Sequence, residues 1–240
     1  MNEQNTNQSF NVGNFVTQGW DIFKQNAGGF ILFFLLYVVI TFVLNLIPVL
    51  GQLANLLLSG ALSAGVYVVA HKIANSESHI FSNFFDGFQK VGQFIVFALI
   101  SGLIVLLIAL PLGGAALISL LTSGGNMDPT VLVSMAGTLG VMALLIGLIF
   151  LFLIYVPCFI LFSNYDAINA MKASFNLVKQ NIGGHILLAL AIIGISLLGV
   201  LALGVGIFVA APVIYLTIYA AWRDQVWINP EEQNIADHLV

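Results

Sequence analysis

"FILFFLLYVVITFVLNLIPVLGQLANLLLSGALSAGVYVVA", Phe30 to Ala70, contains no charged residue and no histidine. About 20 apolar residues in a helix cross about 30 Å of hydrocarbon. This stretch is twice that long, and "IPVLGQ" (Ile47 to Gln52) at its middle supplies the proline and glycine at which a chain turns. It therefore reads as two membrane-spanning helices joined as a hairpin.

Working outward, two more stretches have the same character. Val91 to Tyr165 carries only Asp128, and Gln180 to Trp222 carries only His185. The first divides at "TSGGNMDPT" (Thr122 to Thr130), the second at "GVG" (Gly204 to Gly206). The expected spans are 30–48, 53–70, 94–121, 131–162, 185–203 and 206–222. The middle pair is longer than a crossing requires, and tilt, protrusion or a break at Pro111-Leu112-Gly113-Gly114 would absorb the excess. Composition agrees: the chain is 60% hydrophobic and 7% charged, with mean hydropathy +1.06, against about 25% charged in a soluble domain. The expected fold class is an all-α integral membrane protein, residues 1–240 forming one membrane domain.

Before each hairpin lies a segment with helical periodicity. In "SNYDAINAMKASFNLVKQNIGG" the apolar residues Tyr165, Ile168, Met171, Phe175, Val178 and Ile182 recur every three or four positions. Ile80, Phe84, Phe88 and Val91 do so in the second linker. Val12, Val16, Phe23 and Ala27 do so less regularly near the N-terminus. Each segment is predicted to be an amphipathic helix lying in the membrane interface.

A short phrase is also written twice. "FKQNAGGFIL" (Phe23 to Leu32) returns as "VKQNIGGHIL" (Val178 to Leu187), and Trp20–Leu32 aligned with Phe175–Leu187 gives seven identities in thirteen positions. "FDGFQ" (Phe85 to Gln89) faintly echoes "WDIFK" (Trp20 to Lys24). The chain thus reads as parallel internal repeats: units 12–71, 77–163 and 165–222, with a tail at 223–240. A two-fold reading, with only the first and third units related, stays open. The glycine pairs Gly28-Gly29 and Gly183-Gly184 are predicted joints between each interfacial helix and its first span.

Six basic residues set the orientation. Lys24, Lys72, Lys90, Lys172, Lys179 and Arg223 all lie before, between or after the hairpins, and none lies in the three turns. The positive-inside rule then places both termini and all three interfacial helices on the cytoplasmic side. Trp20, Lys24, Lys179, Trp222 and Arg223, with Trp227, are expected interface anchors. The polar N-terminus "MNEQNTNQSFNVGNF" lacks the pattern of a cleavable signal peptide, and its Asn7-Gln8-Ser9 sequon would face the cytoplasm.

Residues able to carry chemistry are sparse. No predicted span contains Asp, Glu, Lys or Arg, which argues against a charge-relay transporter. Cys158, the single cysteine, forms no intrachain disulfide and reads as a small buried hydrophobe. His71, Glu77 and His79 lack the spacing of a metal site. His185 is expected either to snorkel or to donate to a neighbouring carbonyl. Asn45, Gln52 and Asn55 flank the first turn and form either a polar vestibule or ordinary caps and interhelical bonds. The small residues Ser59/Ser63, Ala61/Gly65 and Ala202/Gly206/Ala210, spaced by four, are expected to let helices approach closely. No catalytic, cofactor or metal residue is assigned, and the net charge of −4 suggests no nucleic-acid partner.

The stretch Ile47 to Phe88, with its Ile-Pro-x-x-Gly turn, Gly-rich helix and Phe-rich linker helix, resembles a pattern in small six-span bacterial membrane proteins. Together with "SFNLVKQNIGGHILL" it resembles the membrane domain of glycerophosphodiester phosphodiesterases. The resemblance implies a six-span helical fold. It implies no active site, because the soluble phosphodiesterase domain with its metal ligands has no counterpart in this sequence. The expected function is therefore a non-enzymatic scaffold or accessory subunit. Its expected partners are membrane lipids and either a second copy or another membrane protein. The runner-up is a channel or carrier for lipids or neutral solutes.

Overall fold

The computed structural model describes residues 10–122, 128–202 and 204–226. Trp227, the tail beyond Val226 and turn residues 123–127 lie outside the described residues. The helices are α1 (Val12–Gln25), α2 (Ala27–Asn45), α3 (Leu50–Ala74), a 3₁₀ helix (Phe81–Lys90), α4 (Val91–Thr122), α5 (Pro129–Phe152), α6 (Val156–Phe162), α7 (Ala167–Gln180), α8 (Ile182–Leu201) and α9 (Ile207–Val226). No strand occurs among the described residues. Six helical segments are long and apolar enough to cross a membrane. The largest departure from the predicted limits is the third, which runs from Phe81 to Thr122 because α4 continues from the 3₁₀ helix.

Helix starts follow from local chemistry. Asn11, Asp128 and Asp166 each accept hydrogen bonds from backbone N–H groups of the first turn that follows, the normal role of an N-cap. Gly204, at φ +77°, sits in the α8–α9 turn in a conformation that favours glycine. Residues predicted to break helices do so unevenly. α4 continues through Pro111, because one lost backbone bond is tolerated inside a long apolar helix. The predicted span 131–162 instead divides into α5 and α6, with Pro157 in the first turn of the second piece. Ser174 of α7 bridges that break: its hydroxyl accepts from the Tyr155 N–H (3.2 Å) and donates to the Phe152 carbonyl (2.7 Å).

Burial is concentrated at one end. The first turns of α2, α4 and α8, the last turns of α3 and α9, and α1, α6, α7 and the 3₁₀ helix form a packed base. Toward the turns the helices bare their apolar side chains: Phe42, Leu46, Leu117, Leu121, Val133, Leu144 and Leu201 are all exposed.

Three crossings hold the base. α1 packs on α9, the 3₁₀ helix on α3, and α7 on α6. Each has a small residue at its closest point. A Cβ on Gly19 would lie 2.7 Å from the Thr217 nitrogen, and one on Gly87 would lie 2.3 Å from the Ala61 oxygen. At the third, the small Ser174 replaces contact with hydrogen bonds. The 3₁₀ geometry suits its place, since residues three apart line up and Phe84 and Gly87 both turn into α3.

Candidate functional site

The centre of the base is built of rings. Tyr67, Tyr155, Tyr219, Phe159, Cys158 and Trp222 are buried together, and Trp222 packs edge-on to Phe159 and tilted against Phe162. Two of the tyrosine hydroxyls are engaged. Asn75 Nδ2 lies 3.0 Å from His71 Nε2; donating there leaves His71 Nδ1–H to donate to the Tyr219 hydroxyl at 2.9 Å. Gln225 donates to the Tyr155 hydroxyl at 3.3 Å. Cys158 is fully buried, a small hydrophobe among rings. His79 and Glu77 do not join His71 as a donor cluster, and no group of three His, Cys, Asp or Glu fit for a metal occurs among the described residues.

Trp222 corrects one sequence expectation. It is 0% exposed and belongs to the core, so it is no interface anchor. An apolar window around a tryptophan reads alike whether the ring meets lipid or protein. Arg223 donates from a guanidinium nitrogen to the Ala74 carbonyl and to Asn75 Oδ1, tying α9 to the C-terminal end of α3, where a cation also meets the negative end of the helix dipole. Trp20 is exposed, stacked on Phe23 at 5.3 Å. Lys24, also exposed, pairs with Asp21 at 2.8 Å, and Lys179 is exposed.

The repeated phrase marks a joint, but the joint is not its glycines. The helix breaks at Asn26 (φ −146°, ψ 46°) and Asn181 (φ −144°, ψ 67°). Gly28, Gly29, Gly183 and Gly184 lie inside α2 and α8, none with positive φ. Asn26 Oδ1 accepts from Gly29 N–H at 3.2 Å, and Asn181 Oδ1 from Gly184 N–H at 2.9 Å. A Cβ on Gly29 would lie 2.5 Å from Asn26 Oδ1, and one on Gly184 would strike Asn181 and Phe10. Gly28 and Gly183 have nothing within 4 Å. The second glycine of each pair thus makes room for the cap, and the asparagines, identical in both copies, were the readable signal.

His185 takes one of its two predicted courses. It is fully buried, donates from Nδ1 to the Asn181 carbonyl at 2.7 Å and rests against Phe10 and Tyr155. It does not snorkel. Asn45 and Gln52 are exposed and Asn55 is half-buried, and Asn45 donates to its own helix at the Thr41 carbonyl. Of the small-residue sets, Gly206 packs on Gly199 and Ala202 between α8 and α9. Gly65 instead admits the 3₁₀ helix: its Cβ would fall 1.7 Å from the Phe84 oxygen.

At the flank of the base, α4, α5 and α7 enclose a side cleft of about 520 Å³. Its lining is apolar apart from Lys172 and Asn176, and it includes Phe152 stacked on Phe175 (4.7 Å). A second, wholly apolar cleft of about 360 Å³ lies between α1, α8 and α9. Sequence periodicity placed Met171 and Phe175 on one face of α7 but gave no sign of a cavity beside them. No family model matches the chain, and neither a curated protein nor a solved structure matches it.

Proposed function

We propose that this protein is a non-enzymatic scaffold or accessory subunit of the bacterial cytoplasmic membrane. It is built of three parallel units, each an interfacial helix followed by a hairpin, with both termini in the cytoplasm. The observation that carries the reading is the filled centre. Tyr67 of the first unit, Tyr155 and Cys158 of the second, and Tyr219 and Trp222 of the third are all buried in one hydrophobic cluster. The ring of crossings supports the repeats: the leading helix of each unit packs on the last helix of the unit before it, and α1 on α9 closes the circle. All six basic residues sit at the base or in α7, in keeping with one cytoplasmic face. The resemblance to the membrane domain of glycerophosphodiester phosphodiesterases remains a proposal about architecture, with no active site attached. A second copy of the chain or another membrane protein is the partner such a scaffold would serve.

Reconstituted protein should pass neither ions nor small neutral solutes above the rate of empty liposomes; a robust flux would overturn the scaffold reading. Orientation is tested separately with single cysteines in a Cys158→Ala background. A cysteine at Thr130 should react with an impermeant maleimide from outside intact cells, and one at Lys179 should not. Of the alternatives, a lipid carrier fits the lateral apolar clefts better than a channel for solutes.

A further inference from the structure

We propose that the cleft between α4, α5 and α7 is a binding site for one anionic glycerophospholipid, an acyl chain lying in the cleft and the headgroup phosphate against Lys172 and Asn176. The walls are hydrocarbon: Ile104, Ile149, Leu153 and Met171, over the stacked rings of Phe152 and Phe175. Its volume of about 520 Å³ lies within the usual ligand-pocket range of about 300–1,000 Å³.

The rim supplies the complement. Lys172 and Asn176 stand one turn apart on α7, on the same face. Neither makes a hydrogen bond or ion pair among the described residues. The ammonium can meet a phosphate, and the amide can donate to phosphate or ester oxygens. Elsewhere on the base, Lys24 is engaged with Asp21, and Lys90 with Asn164.

Depth agrees with this occupant. Ile104 precedes the end of α4 at Thr122 by 18 residues, and Ile149 follows the start of α5 at Pro129 by 20. At 1.5 Å per residue these are about 27 and 30 Å, one hydrocarbon thickness of about 30 Å from the far turn. The cleft therefore opens where acyl chains give way to headgroups. The inference rests on the membrane-spanning arrangement, and transport or its absence leaves it untouched.

The test uses the full chain in lipid nanodiscs carrying a trace of phosphatidylglycerol with a photoactivatable diazirine on its acyl chain. A phosphatidylcholine probe of the same build is run in parallel. Cross-links are expected on the peptides holding Ile149–Leu153 and Met171–Asn176. The anionic probe should exceed the zwitterionic one by about fivefold, the equivalent of about 1 kcal/mol for one lysine at an anionic lipid surface. Lys172→Glu should remove that excess while elution and thermal midpoint stay unchanged, and Lys179→Glu should not. Met171→Trp, filling the cleft, should lower labelling by both probes. Equal labelling by the two lipids, or an equal effect of Lys179→Glu, would overturn the proposal. So would competition by millimolar inorganic phosphate, which would make this an anion site without a lipid.

Discussion

The base and the hairpin ends both carry large apolar side chains but surround them differently. At the base, Phe84 packs on Phe30 and Phe33, and Phe94 and Trp222 are buried with them. Along α5 no residue of the helix is buried, and its leucines and valines face outward. In water the second arrangement would be untenable; in lipid it costs little, because the surrounding tails are as apolar as leucine. What distinguishes the two regions is close fit. Gly19, Gly65 and Gly87 at the base leave no room for a methyl group, whereas Gly137, Gly140 and Gly147 of α5 have nothing within 4 Å.

The largest expected effect breaks this contrast directly. Gly65→Val would drive side-chain atoms into the Phe84 backbone and should cost about 3 kcal/mol or more, at the upper end of overpacking. Gly147→Val should change the detergent unfolding midpoint little. Equal midpoints for the two variants would mean that the base is not the stabilising region.

A smaller effect separates the neighbouring glycines of the joint. Gly29→Ala should displace the Asn26 cap and cost about 1 kcal/mol. Gly28→Ala, in open space, should stabilise by about 0.5–1 kcal/mol through helix propensity. Opposite signs in thermal unfolding are the expected result. The sequence alone marked both residues as a hinge of equal weight; only the placement of the asparagine side chain tells them apart, and that depends on how the chain enters α2.

The smallest effect lies at the far end. The Thr130 hydroxyl, then the Val131 and Thr130 N–H groups, bond to Asp128 and hold its carboxyl below its ordinary range. A carboxylate with a lowered folded pKa stabilises above its unfolded value, about 3.9, and the contribution is lost as pH falls through the folded value. Asp128→Ala should therefore lower the midpoint slightly at pH 7. The gap to the parent should shrink below about pH 4, and a gap constant to pH 3 would contradict this role.

Apolar runs, turn residues and cap residues act within a few positions, so the sequence by itself determined six helices long and apolar enough to cross a membrane, with their approximate limits. Ile168 and Phe175 of α7 and Ile182 at the start of α8 were readable as parts of one apolar face, and these three are exposed. Val178, read as part of that same face, is buried instead, beside Ala170, Ser174 and Leu177, which the pattern did not mark. Only the tertiary structure decided which apolar surface meets protein and which is left for lipid. Trp222 went inside, Ser174 closed the α5–α6 break and Lys172 came to the mouth of a cleft. Hydropathy cannot separate these outcomes, because core and bilayer are equally apolar; the distinction lies in which two surfaces fit closely enough to exclude a lipid chain.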